Sequence, residues 1–321
     1  MTLLRLTERT LLVGILATTL TLHAWAQIGG MPGTPSRMGF GARGMGLGNA
    51  MTAVADGDIL GYSNPALLPW AEYRQAAASF GILSLDRSLN FLYYTQPLPP
   101  QAGISIGIIN AGVNSIDGRD EAGFETGLLK TSENQAFLSF GIRTKPGMTL
   151  GVTVKLLYYH LYTDLNSLTA GVDLGVFYPV STDLFVGATV RDINSKYKWD
   201  SSKRYGQDGG SSEDAFPQLY TVGAAYRLPD SIATVSMDCE FSNASTILLR
   251  TGIEVPIIQE LTLRAGIDRI DLREKGNGVR PAFGFSTGTT LGSWTPSLHY
   301  AFVLEPFAPS GLHMISLSAR F

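Results

Sequence analysis

The 321-residue sequence contains a single cysteine, Cys239, so an internal disulfide framework is excluded. Charged residues make up only 16% of the chain, and the formal net charge is −3. Because no basic stripe is present to offset phosphate charge, we expect no nucleic-acid partner. The few histidines show no i, i+4 pair or other ligand spacing, so we expect no metal site and no cofactor; they are His23, His160, His299 and His313.

Long hydrophobic runs are scarce as well. After residue 26 no apolar run approaches the roughly 20 residues that a spanning helix needs, which excludes a helical membrane protein. A shorter run at 11–22 follows a basic start and precedes the small-residue site Ala24-Trp25-Ala26. This pattern predicts a cleaved signal peptide over residues 1–26, a mature chain beginning at Gln27, and export from the cytoplasm.

What the mature chain has in abundance is alternation of apolar and polar residues. In the segment 149–158, period two places the apolar side chains on one face and the polar ones on the other. The apolar face carries Leu150, Val152, Val154, Leu156 and Tyr158, and the polar face carries Thr149, Gly151, Thr153 and Lys155. Further segments repeat this pattern, with charges and glycines on the second face. Each such segment is predicted to be a strand with one apolar and one polar side.

About fourteen segments of this kind follow one another. Most span about ten to twelve residues, longer than the usual five or six of soluble sheets and close to the length of a tilted membrane strand. Their predicted bounds are 75–83, 87–96, 101–111, 133–144, 148–161, 167–179, 182–192, 216–228, 231–242, 246–255, 258–269, 278–288, 291–303 and 311–321. An even number suits a closed barrel, which leaves no unpaired edge in lipid.

The connections between these strands predict the same architecture. Every second one is short and rich in turn residues, whereas the others include the long polar stretches 112–132 and 193–215. Short turns on one side and long loops on the other are typical of outer-membrane proteins. The predicted fold is therefore an all-β, transmembrane antiparallel β-barrel of about 14 strands, located in the outer membrane. A soluble secreted β-sandwich used for adhesion is the alternative, since it shows the same alternation locally.

Several single residues fit a lipid-facing wall. Cys239 shares a face with Met237 and Phe241, which predicts a small apolar residue in contact with outer-membrane lipid. The last segment alternates up to Phe321. A terminal phenylalanine in such a strand resembles the signal by which the barrel-assembly machinery recognises outer-membrane proteins, so Phe321 is the candidate insertion signal.

Two catalytic-looking motifs are better explained without catalysis. Gly39, Gly41 and Gly44 match the G-x-G-x-x-G of dinucleotide sites, but Pro32 and Pro35 exclude the regular central strand that should precede them. The G-x-S-x-G match at 284–288 lies in an alternating segment with no helix to follow, unlike the nucleophile of a hydrolase. We therefore expect no enzymatic activity.

Residues 27–74 do not alternate and are rich in glycine, alanine and proline, which predicts a compact N-terminal hatch ahead of a barrel over 75–321. The run from Met38 to Trp70 resembles the hatch of the FadL-like outer-membrane family, most closely its PorV/PorQ branch. Leu67 stands where that branch has glycine and brings the motif nearer to the fatty-acid transporter form. The matching residues are Gly41, Ala42, Arg43, Gly44, Met45, Gly46, Ala55, Asp56, Asn64, Pro65 and Ala66.

Two contacts are expected within this segment. Arg43, the one charge in the glycine run, is predicted to pair with an inward-facing carboxylate such as Asp173 or Glu254. Proline fixes its own φ and keeps the preceding residue out of the helical region, so Asn64-Pro65 is predicted to form a rigid corner against the barrel wall.

The resemblance implies one of two functions. The PorV/PorQ branch implies a component of type IX secretion that handles exported cargo proteins together with other secretion components. The wider family implies a channel for hydrophobic small molecules, with a hydrophobic ligand bound above the hatch. The G-A-R-x-x-G-M-G-like form of the motif favours the first function.

Overall fold

The structure is a computed structural model that describes residues 28–58, 60–144, 147–273 and 278–321. The predicted signal peptide, 1–26, and the predicted new N-terminus at Gln27 lie outside the described residues. Within the described ranges, no helix has both the length and the apolar character needed to cross a bilayer.

Fourteen antiparallel strands of the described chain close into a single barrel, as the sequence predicts. Each barrel strand pairs with its neighbours along the chain, and the first and last strands pair with each other to close the ring. A hairpin of two further strands, residues 196–200 and 211–215, stands outside this ring and takes the labels β8 and β9. The barrel strands are β1 (Gln75–Ile82), β2 (Arg87–Leu98), β3 (Ala102–Arg119), β4 (Glu125–Arg143), β5 (Thr149–Tyr162), β6 (Leu165–Pro179), β7 (Leu184–Ile193), β10 (Leu219–Arg227), β11 (Thr234–Ser242), β12 (Ile247–Ile258), β13 (Leu261–Asp271), β14 (Arg280–Gly288), β15 (Thr295–Val303) and β16 (Leu312–Arg320).

The alternation translates into an outward and an inward face as predicted. On β5, Val152 and Val154 are exposed on the outside, whereas Thr153 is buried and Lys155 is only 1% exposed on the inside. Cys239 lies on the outward face of β11 between the exposed Met237 and Phe241. Because one closed sheet carries its apolar residues outside, the sandwich alternative is wrong: its apolar faces would meet between two sheets.

Two predicted loops contain strands instead. The stretch 112–132 is largely the continuation of β3 and β4, which pair with each other as far as Arg119 and Glu125. The stretch 193–215 holds a separate hairpin of β8 (Lys196–Asp200) and β9 (Ser211–Ala215), joined by a short helix, Ser202–Tyr205, and a 3₁₀ turn, Gly206–Asp208. The alternation is weak in both stretches because a hairpin beyond the barrel rim meets water on its outer side and does not need an apolar outward row.

The two ends of the barrel differ. We call the end where β1 begins and β16 ends the terminal end, and the opposite end, where β7 leads into the connection 194–218, the loop end. The extended β3–β4 hairpin and the β8–β9 hairpin both lie at the loop end. The connections at the terminal end are short, so the predicted asymmetry is present, although it arises from hairpins rather than irregular loops.

The N-terminal segment, residues 28–58 and 60–74, lies inside the barrel. It consists of the short helices Thr34–Arg37, Gly41–Gly46 and Leu60–Ser63 and the 3₁₀ turns Ile28–Gly30 and Pro65–Trp70. Inward-facing glycines let its backbone touch the wall: a Cβ on Gly151 would stand 2.2 Å from the Pro65 carbonyl carbon, and one on Gly266 would stand 2.3 Å from that of Leu47. The glycines on the polar face are thus explained by close backbone approach.

Candidate functional site in the lumen

Arg43 connects the N-terminal segment to β12 of the barrel wall through Glu254. It lies on the Gly41–Gly46 helix and is 4% exposed. Its Nε and Nη2 donate to the two carboxylate oxygens of Glu254 at 2.9 and 2.8 Å, and its Nη1 donates to the Asp56 carbonyl oxygen at 2.5 Å. Glu254 also accepts from Arg264. Of the two carboxylates predicted for Arg43, the structure selects Glu254.

The other residues of the glycine run make packing and backbone contacts. The Ala42 amide donates to the Ser316 hydroxyl at 2.9 Å, and Gly46 packs on Gly284 of β14. Gly41 has a φ of 70°, which favours glycine, and Gly44 faces Asn49. No strand precedes this helix in the described part of the chain, so the arrangement that a dinucleotide requires is not formed here.

Asn64 joins the segment to a second part of the wall, on β6, four strands from β12 around the ring. Its side chain is fully buried, and its Nδ2 donates to the Val176 carbonyl oxygen of β6 at 3.1 Å and to the Thr52 carbonyl oxygen at 3.0 Å. Its Oδ1 accepts from the Ala66 amide and caps the turn that Pro65 begins. Proline suits that first position because its missing N–H has no partner there in any case.

Charged residues fill one side of the lumen, which we call the ionic side: the inward faces of β5–β7 and β10–β14. Arg250 donates to Glu240 at 3.0 Å and to Asp268 at 2.8 Å. Asp238 accepts from the amide and hydroxyl of Thr52 at 3.0 and 2.7 Å, which anchors the segment again. A second cluster consists of Lys155, Asp173, Arg191 and Asp192, in which Lys155 lies 2.6 Å from Asp173 and also binds Asp192.

Aromatic residues fill the side opposite Arg43, which we call the aromatic side: the inward faces of β2–β4. Phe40 lies at its centre, with ring centroids 4.4 Å from Tyr62, 4.5 Å from Phe91 and 5.8 Å from Phe137. The sequence analysis missed this cluster. The available signal was the sequence of β2, where the inward positions Leu89, Phe91 and Tyr93 are as apolar as the outward ones.

A cavity of about 720 Å³ lies between the N-terminal segment and the loop end. Its lining combines apolar and charged side chains, among them Met38, Leu85, Leu248, Phe307, Arg269 and Arg280. A second cavity of about 640 Å³ lies at the terminal end beside Trp70, Phe185 and Arg227. Between the two, beside Phe40 and Arg250, the gap measures about 50 Å³. The lumen is therefore filled in its middle and open at both ends.

The β8–β9 hairpin folds inward over part of the loop end. Tyr197 is buried, and its hydroxyl donates to Glu133 of β4 at 2.6 Å. Burial and the nearby Glu133 carboxylate raise the pKa of Tyr197, so the hydroxyl stays protonated and keeps this bond. Phe216, which follows the hairpin, packs against Gly33 of the N-terminal segment. The hairpin thus narrows access to the lumen from this side.

The structure also places Phe321 and the G-x-S-x-G match of the sequence analysis. Phe321 is partly exposed, with ring centroids 5.4 Å from Trp294 and 6.3 Å from Tyr94; its role as an insertion signal stays a prediction. Ser286 of the G-x-S-x-G match accepts from Arg264 at 3.0 Å, and the next element after its strand is β15. The described residues hold no group of three or more potential ligands arranged for a metal ion.

Known structures share this architecture. No protein-family model and no curated protein sequence matches the chain. The toluene transporter TodX of Pseudomonas putida superposes with a TM-score of 0.60 at 14% identity, over 88% of this chain and 96% of that one. The monoaromatic hydrocarbon channel CymD gives 0.63 at 12% identity, over 88% and 97%. Similarity at this level of identity shows a common fold.

Proposed function

We propose that this protein is an outer-membrane channel that admits hydrophobic small molecules. The observation that carries the proposal is the cavity at the loop end, partly apolar and closed below by the N-terminal segment. A solute of low polarity would gain by leaving water for Met38, Leu248 and Phe307. The fold shared with TodX and CymD, a toluene transporter and a monoaromatic hydrocarbon channel by their descriptions, supports the same function.

The outward surface supports a location in the outer membrane. A belt of exposed aliphatic and aromatic side chains surrounds the closed barrel, and such a belt is stable only in lipid. Bacterial outer-membrane barrels place short turns in the periplasm and longer elements outside the cell. By that rule the loop-end cavity faces the medium and the terminal-end cavity faces the periplasm.

For a solute to pass through the barrel, the N-terminal segment has to act as a movable hatch. The gap in the middle of the lumen, about 50 Å³, is too small for such a solute. The aromatic side is the proposed route, since apolar contacts among Phe40, Tyr62 and Phe137 are non-directional and can be exchanged for contacts with an apolar solute. The Arg43–Glu254 pair would hold the segment in place meanwhile.

Uptake measurements test this proposal. Deleting the gene is expected to reduce the uptake of radiolabelled toluene at low concentration, and the intact gene should restore it. Met38→Trp and Leu248→Trp, which fill the loop-end cavity, should restore less than a fifth of that uptake. Leu291→Trp is the matched control, because Leu291 is exposed in a turn at the terminal end, and it should restore uptake fully. Unchanged uptake in the deletion strain would reject the channel.

A type IX secretion component is the second candidate, favoured by the form of the Gly41–Gly46 run. The same deletion strain separates the two functions if the surface level of type IX cargo proteins is measured alongside uptake. The channel proposal expects normal cargo and reduced uptake. Lost cargo with normal uptake would reject the channel in favour of secretion, in which the loop-end hairpins would receive cargo.

A further inference from the structure

The ladder between β1 and β16, which we call the seam, closes the barrel and joins residues far apart in the chain. Ser79 and Ser316 stand opposite each other in the seam, although 237 residues separate them. Every other ladder of the ring joins consecutive barrel strands. Because the entropy lost on closing a loop grows with loop length, the seam gains least from local hairpin formation. If it opened, its unpaired N–H and C=O groups would face lipid, which cannot bond to them.

Asp58 of the N-terminal segment lies against the inner side of the seam and is 3% exposed. Its Oδ1 accepts from Gln75 of β1 and, at 3.1 Å, from Arg320 of β16. Its Oδ2 accepts from Ser318 of β16 at 3.2 Å and lies 3.0 Å from Nε2 of His299 on β15. One buried carboxylate thus binds the first strand of the barrel and the last two.

The anchors described above each reach a single strand of the wall. Arg43 reaches β12, Thr52 reaches β11 and Asn64 reaches β6. Loss of one of these anchors would free the segment from one strand. Loss of Asp58 would in addition remove a connection between two strands that have to stay paired.

The Gly41–Gly46 helix makes a second contact with the seam. The Ala42 amide donates to the Ser316 hydroxyl of β16 at 2.9 Å, and that hydroxyl lies 2.6 Å from the Ser79 hydroxyl of β1. Ser316 and Ser318 are neighbours on the inward face of β16. The segment therefore supports the seam at two successive inward positions.

The Asp58 carboxylate has its full set of partners only when the seam is closed. Gln75 lies on the strand that follows Asp58 along the chain, whereas the other three partners lie on the last two strands. With the seam open, the carboxylate would lose the donors of β16, and a buried carboxylate without its partners is costly. Burial of Asp58 and pairing of β1 with β16 therefore favour each other.

We propose that the N-terminal segment holds the barrel closed as well as filling its lumen, and that Asp58 is the residue by which it clamps the seam. Without Asp58, β1 and β16 are joined by their backbone ladder and by small side chains such as Ser79 and Ser316. The clamp lies within one chain and needs no partner molecule. This role is independent of the transport function.

Hydrogen exchange of the purified protein in detergent, measured by mass spectrometry of its peptides, tests the clamp. Asp58→Ala removes the carboxylate and leaves its buried donors unpaired, so the seam should open more often. Exchange of the β1 and β16 amides should become about tenfold faster, which corresponds to about 1.4 kcal/mol in the opening equilibrium and is typical for loss of a hydrogen bond to a charged group. Unchanged exchange in these two strands would overturn the proposal.

Asn64→Ala is the matched control, because it frees the same segment from β6 without touching the seam. It should leave the exchange of β1 and β16 at the parent rate, and an equal rise at the seam in both variants would mean that Asp58 has no specific role. Ser318→Ala, which removes one buried donor on β16, covers the case in which Asp58→Ala does not fold. It should also raise seam exchange, and no rise would overturn the proposal.

A disulfide across the seam provides an independent test. Ala78 and Leu317 stand opposite each other on the outward face of the seam. The Cα atoms of such a pair are about 4.5–5.5 Å apart, which a disulfide spans. In a Cys239→Ser background, Ala78→Cys together with Leu317→Cys should therefore give a linked seam. Asp58→Ala should no longer raise seam exchange in this protein, because the linked strands cannot separate.

Val222→Cys gives the control disulfide, because Val222 stands opposite the native Cys239 across β10 and β11, away from the seam. In that protein Asp58→Ala should raise seam exchange as much as it does in the parent. If Asp58→Ala kept its effect in the seam-linked protein, the carboxylate would act somewhere other than the seam, and the proposal would be wrong.

Discussion

The two sides of the lumen hold the N-terminal segment by different kinds of contact. The ionic side uses directed bonds to buried charges, such as Arg43 with Glu254, which fail abruptly when one partner is lost. The aromatic side uses ring contacts around Phe40, which tolerate small shifts. In the proposed channel, the directed bonds would anchor the segment and the ring contacts would border the route of the solute.

The largest effect is expected on the ionic side. Glu254→Gln leaves Arg43 and Arg264 buried without their carboxylate, and breaking a buried pair in this way costs about 3–5 kcal/mol. A folded barrel migrates differently from the unfolded chain in a denaturing gel. The temperature at which the folded band is lost should be clearly lower for Glu254→Gln than for the parent protein. Glu260→Gln, at an exposed glutamate in the turn between β12 and β13, is the control and should leave that temperature unchanged. Similar behaviour of the two variants would contradict the anchoring role of Glu254.

A smaller effect is expected where backbone meets backbone. Gly151→Ala puts a Cβ 2.2 Å from the Pro65 carbonyl carbon, and overpacking of this kind costs about 1–3 kcal/mol. Thermal unfolding of the purified barrel in detergent measures the loss. Gly210→Ala is the matched control, because nothing lies within 4 Å of a Cβ there. If Gly151→Ala were neutral, the segment would not press on the wall at this point.

The smallest effect on stability is expected on the aromatic side. Phe137→Leu removes ring contacts with Phe40 and Tyr62 but keeps an apolar side chain, which costs about 1–2 kcal/mol. Uptake of toluene should rise, because the route widens while the anchor stays. Lower uptake in this variant, at normal protein levels, would place the route elsewhere and remove the functional contrast between the two sides.

Sequence reasoning reached the barrel because lipid imposes a simple rule on every strand. Most outward residues in contact with lipid are apolar, so alternation with period two can be recognised from Leu150 to Tyr178 without knowledge of any partner strand. The inward residues follow no comparable pattern, because they include charged, aromatic and glycine residues. Arg43 could be recognised as a buried charge in need of a carboxylate, but the choice between Asp173 and Glu254 depended on where β6 and β12 stand around the ring.

The sequence by itself determined the number of barrel strands and which side of each faces lipid, because those properties depend on local alternation and on the solvent. Only the tertiary structure decided that the lumen has an aromatic and an ionic side, that Asn64 bonds to β6, and that Asp58 binds the first barrel strand and the last two. These features join residues far apart in the chain, and closure of the sheet sets their distances.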